Sequence, residues 1–193
     1  MAKTPARESI IKNGAFLIHS KGYNNTGLSD ILKAAGVPKG SFYFYFKSKD
    51  EFGLAVLDYY WESVQGMTDA HCSDKNVPPL KRLARIMDVY HKLFESMGFT
   101  CGCPIGNLMQ EMSDLNEGFR EKVSDIYSRM KDFIAQLLAE AQEKGDLPPS
   151  IDIDSTAQFI LNSWEGTIMH MKVTKSNEPF NLFKQMIFER ILK

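Results

Sequence analysis

The stretch TGLSDILKAAGVPKGSFYFYFKSK, residues 26–49, decides the fold. Leu28, Ile31, Leu32 and Ala35 recur at the three- and four-residue spacing of one helical face. Gly36 ends that helix, because glycine takes the left-handed conformation a helix end needs without a Cβ clash. Pro38 suits the first turn of the next helix, since its φ is already helical. Phe42 and Phe46 stand four apart and face back toward the first helix. A helix, a short glycine-containing turn and a second short helix make a helix-turn-helix.

Several residues of this stretch form an ordered series: Thr26, Ala34-Ala35-Gly36-Val37, Lys39-Gly40, Tyr43 and Phe46-Lys47-Ser48-Lys49. With Gly22-Tyr23 just upstream, the series resembles the DNA-binding head of TetR-type transcriptional regulators. It covers roughly the first quarter of the chain. One departure is Tyr45, where the family often has histidine; tyrosine also donates to a phosphate. The resemblance implies a double-stranded DNA operator as partner and a homodimer joined by the last long helices, about 117–144 and 152–173. It also implies a body that binds a small-molecule inducer or is chemically modified, so that the DNA is released.

Charge supports a nucleic-acid head. Residues 1–50 carry eight Lys or Arg against three Asp or Glu, and the remainder fifteen against twenty-one. A basic unit on an acidic body suits phosphate binding, although a solvated basic face has the same composition. The chain has 193 residues, 44% hydrophobic, enough for one or two small domains with a real core. No apolar run approaches the ~20 residues a membrane span needs. The N-terminus MAKTPARESI lacks a signal-peptide core, so a cytoplasmic protein is expected. Three cysteines, Cys72, Cys101 and Cys103, argue against a disulfide framework.

Outside the quoted stretch the chain reads all-α, about nine helices, with no convincing strand. A first helix over 4–21 has Thr4 as cap and Ile10, Ile11, Gly14, Ala15, Leu17 and Ile18 as its buried stripe. Asn25 or Thr26 is expected to cap the second helix, and its companion covers about 39–45. Ser48-Lys49-Asp50-Glu51 is a capping box opening a fourth helix, 49–71. HCSDKNVPP, residues 71–79, breaks it. Further helices are expected over 79–97, 104–113, 117–143, from Asp152 or Asp154 to 173, and from Pro179 to 191. Asp114-Leu115-Asn116-Glu117 is read as the capping box of the longest. The domains are therefore a head over residues 1–50, a body over 51–193, and a fourth helix joining them.

The second helix of a helix-turn-helix lies in the major groove, its N-terminal residues nearest the bases. Here these are Pro38, Lys39, Gly40, Ser41 and Tyr43. Phosphate contacts are assigned to Thr26, Ser29, Tyr43, Tyr45, Lys47, Lys49 and the amides opening the fourth helix. Phe42 and Phe46 read as core. Tyr43, Phe44 and Tyr45 cannot all be buried on so short a helix, so at least one is exposed beside lysines.

In the body, Met87, His91, Phe94, Met109, Met112, Tyr127, Met130, Trp164 and Met171 are candidate lining of an inducer pocket, adaptable because methionine is flexible. The same residues also fit ordinary core. Phe159, Ile160, Ser163, Trp164, Thr167 and Ile168 form a candidate dimer seam or an internal face. CGCPIGNLMQEM, residues 101–112, with Trp164-Glu165-Gly166 and Lys172-Val173-Thr174-Lys175, resembles a TetR branch that includes electrophile and oxidant sensors. That resemblance implies Cys103 as reactive thiol with Lys172 near it; a buried inert cysteine is the alternative. Cys-x-Cys is not a zinc-finger spacing, so no metal is assigned to His71, Cys72, Cys101 and Cys103, and no cofactor is expected. No phosphate loop, nucleophile elbow or paired histidines argue for an enzyme. A helical protein-binding adaptor, or a small-molecule-binding protein without DNA activity, is the contrasting reading.

Overall fold

The computed structural model describes residues 5–193. They form nine α-helices and no strand, so the all-α expectation holds. These are α1 (Pro5–Lys21), α2 (Leu28–Ala35), α3 (Phe42–Tyr45), α4 (Lys49–Cys72), α5 (Pro79–Ser96), α6 (Pro104–Met112), α7 (Glu117–Glu143), α8 (Ile153–Thr174) and α9 (Glu178–Met186). A 3₁₀ turn, Lys39–Ser41, precedes α3, and a π-helical turn, Ile187–Ile191, follows α9. The expected cap Thr4 lies outside the described residues.

The helix ends show which punctuation acts. Gly36 has φ 67°; its N–H donates to Lys33 O at 3.3 Å and the Val37 N–H to Leu32 O at 3.0 Å. This is a Schellman end, and the Ser9 hydroxyl also donates to Ala35 O at 3.2 Å. The N-cap of α2 is Gly27 without a side-chain cap. Neither Asn25 nor Thr26 serves, because the Thr26 hydroxyl donates back to Gly22 O at 2.6 Å and the Asn25 amide to Lys21 O at 3.2 Å. Ser48 caps α4 as expected, accepting from Glu51 N–H at 3.0 Å. The returning Glu51 carboxylate takes the Lys47 N–H at 2.7 Å, one residue before the cap. For α7 the capping oxygen is that of Asn116, which accepts from Phe119 N–H at 3.2 Å, rather than that of Asp114. Of Asp152 and Asp154, Asp152 caps α8, accepting from Ser155 N–H at 2.8 Å. The companion helix is a 3₁₀ turn plus one α turn rather than a single helix over 39–45. Gly40, Ser41 and four consecutive aromatics are indifferent helix formers, and Phe46 leaves in extended geometry.

The chain packs as two compact units: the part through Val64 with Pro104–Ser124, and Gln65–Cys103 with Asp125–Lys193. The segment Pro104–Ser124 thus joins the head, which differs from a boundary after residue 50. The reason is that α6 and the start of α7 bring Glu111 and Phe119 against the end of α1. In this first unit Phe42, Phe46 and Phe52 pack in tilted and edge-on pairs with ring centroids 5.2, 5.4 and 5.8 Å apart, fastening α3 to α4. The Tyr60 hydroxyl donates to Ala15 O at 2.6 Å.

The second unit buries Met87, Phe94, Leu138, Ile160, Trp164, Ile168, Phe180 and Phe183 in one apolar core. The segment between α4 and α5 is pinned by Arg82, only 2% exposed. Its guanidinium donates to Val77 O at 3.2 Å, to Cys72 O at 3.3 Å and to the Glu140 carboxylate. Lys75, at 2.8 Å, and Arg82 together hold the Glu140 carboxyl below the usual carboxylate range.

Gly53 marks the closest packing of the first unit. A Cβ there would lie 2.4 Å from Phe119 Cζ and 2.7 Å from Tyr23 Cε2. Glycine-to-alanine gains up to ~1 kcal/mol of helix propensity, but overpacking costs about 1–3 kcal/mol. Gly53→Ala is therefore expected to lower the denaturant midpoint of the full chain. An unchanged or higher midpoint would show that the aromatic pair gives way freely.

Candidate nucleic-acid interface

The 3₁₀ turn and α3 place a mixed aromatic and basic surface in solvent. Tyr43 is 68% and Phe44 79% exposed, whereas Phe42 and Phe46 are each 1% exposed. Pro38, Lys39, Gly40 and Lys47 are exposed, Ser41 and Tyr45 half-buried, and Ser29 is exposed in the first turn of α2. Large rings left in water among lysines suit a partner that offers both π-faces or apolar edges and phosphates.

Two assigned contacts are already engaged inside the protein. Thr26 is 1% exposed and its hydroxyl serves the α1 end. The Lys49 ammonium donates to Tyr23 O at 2.7 Å and lies 4.4 Å from the Tyr23 ring centroid. Burial lowers the Lys49 pKa, opposed by the carboxylates of Glu111 and Asp50.

Behind this surface lies a brace that sequence reading did not assign. The Glu111 carboxylate on α6 accepts the Tyr23 N–H at 2.8 Å and the Asn24 N–H at 2.7 Å. Gly22, at φ 86°, permits the approach: a Cβ there would meet Glu111 Oε2 at 3.2 Å. The Tyr23 ring packs edge-on against Phe119 at 5.1 Å, and its hydroxyl donates to Asp50 at 2.8 Å. Asn116 donates to the same Asp50 carboxylate at 3.1 Å. Burial, then the Asp50 bond, pushes the Tyr23 phenol well above its ordinary pKa. Gly22-Tyr23 was visible in the sequence; Glu111, 88 positions further on, carries no local signal.

The candidate inducer-lining residues divide between the units. Met87, Phe94, Trp164 and Met171 are buried in the second unit's core, and Tyr127 and Met130 pack against it. His91 stacks on Phe180 at 3.9 Å and 5°, with Nε2 2.5 Å from Asn177 Oδ1. Met109 and Met112 belong to the first unit, because α6 packs with the head. Met112 is buried there, its sulfur accepting from the Asn24 amide at 3.8 Å.

Cys103 is half-buried, and its thiol is hydrogen-bonded to the Glu165 carboxyl. Lys172 is exposed on α8, about 10 Å along the axis from Glu165 at 1.5 Å per residue. Glu165 is 8% exposed, and burial raises its pKa. A carboxyl between Leu161 and Ile168 on an otherwise apolar face was the sequence signal for it. Cys72 is buried and bonded to Arg82 O at 3.5 Å. Among the described residues no cluster of His, Cys, Asp or Glu could hold a metal.

The candidate seam on α8 has two faces. Ile160, Trp164 and Ile168 turn into their own core, whereas Phe159, Ser163 and Thr167 line an open groove of about 340 Å³ with Leu182 and Met186 of α9. The exposed large apolar side chains here lie on α8 (Phe159, Met169, Val173) and α9 (Leu182, Met186), none on α7.

Because Lys39 and Tyr43 are exposed, their truncation is expected to act on binding alone. Lys39→Ala and Tyr43→Ala should each weaken duplex binding about tenfold, the order of one lost phosphate or base contact. The thermal midpoint should not change. Gel-shift titration over a salt series checks this, and undiminished affinity in both variants would contradict the assignment.

Comparison with known proteins agrees with this geometry. Residues 10–56 match the family described as bacterial regulatory proteins, tetR family, and residues 79–187 the tetracyclin repressor-like C-terminal domain. The HTH-type transcriptional repressor DhaR of Mycobacterium sp. (strain GP1) is 32% identical over 100% of this chain and 95% of its own length. A crystal structure of a regulatory protein TetR from Rhodobacter sphaeroides superposes with TM-score 0.88 at 36% identity, covering 94% of this chain and 96% of that one. The reduced form of E. coli NemR superposes with TM-score 0.82 at 28% identity, covering 98% of this chain and 99% of its own. The chain belongs to the TetR family of transcriptional regulators and carries that family's helix-turn-helix DNA-binding head.

Proposed function

We propose that this protein is a cytoplasmic homodimeric repressor that leaves its operator when the body takes up a small molecule or when Cys103 is modified. The reading as a regulator rather than an enzyme follows its relatives, which are named as transcriptional repressors. Among the described residues no helix is long and apolar enough to cross a membrane.

The observation that carries the proposal is the position of α6. The helix begins at Pro104, the residue after Cys103, and ends beside Glu111, which holds the two amides at the end of α1. A chemical event at Cys103 is therefore one peptide bond from the helix that braces the DNA-reading unit. Two heads are needed because one offers few base contacts and palindromic operators are read by two-fold dimers. The exposed apolar residues Phe159, Met169 and Val173 of α8 and Leu182 and Met186 of α9 support a joining face there, α8 being shared with the α7–α8 pairing that the resemblance implies. Modification follows ordinary thiol chemistry: an electrophile alkylates the sulfur, or a peroxide oxidises it to a sulfenic acid.

Footprinting on the DNA upstream of the gene tests this. Two protected half-sites about one helical turn apart are expected, with affinity falling steeply in salt. Iodoacetamide or hydrogen peroxide should release the wild type and leave Cys103→Ser bound. Release of both proteins alike, or of neither, would contradict control through Cys103.

A further inference from the structure

The outward face of α3 centres on one residue. Successive residues of a helix are ~100° apart, so Phe44 stands ~200° from Phe42, on the opposite side of the turn. Phe42 is 1% exposed and Phe44 79%, so one side of α3 belongs to the head's core and the other is open. Tyr43 and Tyr45 flank Phe44 on either side. The Tyr45 ring meets the Phe44 ring edge-on, with centroids 5.0 Å apart and planes at 88°. The Tyr43 ring packs edge-on against Phe42 instead, at 5.4 Å. Phe44 is thus supported on one side by a neighbouring ring and keeps most of its surface in water.

A large apolar ring in water at the middle of the reading helix calls for a partner. Its chemistry narrows what that partner offers. Tyr43 has a hydroxyl and can serve a phosphate, as can Lys39 and Lys47. Phe44 has neither donor nor acceptor, so it can bind no phosphate and complete no hydrogen bond to a base edge. The second helix of a helix-turn-helix enters the major groove, where stacked bases present their edges rather than their faces. Apolar wedges between base steps belong to minor-groove binding. On the major-groove edges the apolar group is the C5-methyl of thymine.

We propose that Phe44 is a specificity-determining residue of the head, reading the C5-methyl of one thymine in each operator half-site by apolar contact. Water leaves the ring and the methyl together, and no hydrogen bond changes hands. The contact rests on the head's reading of duplex DNA and adds the base that α3 prefers at its centre.

The test uses the full-length chain and a duplex that it enriches from a random-sequence library. The duplex is made with thymine and again with uracil, which pairs with adenine alike and lacks only the methyl. Gel-shift titrations at one salt concentration compare wild type, Phe44→Ala and Phe44→Leu. Burying one methyl is a factor of about four, so over two half-sites the wild type should prefer the thymine duplex about fifteenfold. Single uracil substitutions should trace most of that loss to one thymine position in each half-site. Phe44→Ala should bind the thymine duplex as weakly as the wild type binds the uracil one, and separate the two duplexes by less than about twofold. Its thermal midpoint should match the wild type, because the ring is exposed. Phe44→Leu, which keeps an apolar side chain, should retain most of the preference for thymine. Equal wild-type affinity for the two duplexes, or undiminished discrimination in Phe44→Ala, would overturn the contact. Salt-dependent binding of both duplexes would show in either case that the head's DNA reading stands without it.

Discussion

One carboxylate sets the position of the end of α1. Glu111 takes the amides of Tyr23 and Asn24, and those two residues open the turn that leads into α2. A hydrogen bond to a charged acceptor contributes about 1.5–3 kcal/mol when shielded, and less for the more exposed Asn24 bond. The rest of the brace depends on this grip. Tyr23, once placed, packs on Phe119, donates to Asp50 and receives Lys49 over its ring. Glycine at 22 and 53 is required because a Cβ at either would crowd Glu111, Phe119 or Tyr23. The DNA-reading unit is therefore completed by a segment from the middle of the chain, Pro104–Ser124.

That arrangement gives the family's division of labour a physical form. A head that folded from residues 1–50 alone would have no means of knowing what the body had bound. Here the helix that finishes the head starts immediately after a half-buried thiol. The thiol in turn bonds a buried carboxyl in the second unit. A ligand shifts a two-state equilibrium only by its differential affinity for the two states.

Local features were legible in the sequence and non-local ones were not. The helix pair over 26–49 announced itself through apolar periodicity, Gly36 and Pro38, and its Schellman end follows from those residues. The exposure of Tyr43 and Phe44 followed from counting aromatics against the available core. Thr26 and Lys49 were assigned to phosphate by residue type, yet their side chains are taken up internally by Gly22 O and Tyr23 O. A motif supplies a residue's identity but not the direction in which it points. Glu111 was invisible because its partners lie 87 and 88 positions away. The division of the methionines had the same origin, since α6 had to be placed in space before Met109 and Met112 could be assigned to the head. Glu165 had a trace in sequence, a carboxyl on an apolar helical face, and needed the structure to show what surrounds it.

The coupling of body to head is tested most directly by hydrogen exchange at the Tyr23 and Asn24 amides, measured with and without an effector that releases DNA. Both amides are bonded to Glu111 in the structure described here. They should exchange slowly in the unliganded protein and lose protection when the effector acts, while amides within α1 remain protected. Release of DNA with the protection of Tyr23 and Asn24 unchanged would show that the signal does not pass through this grip.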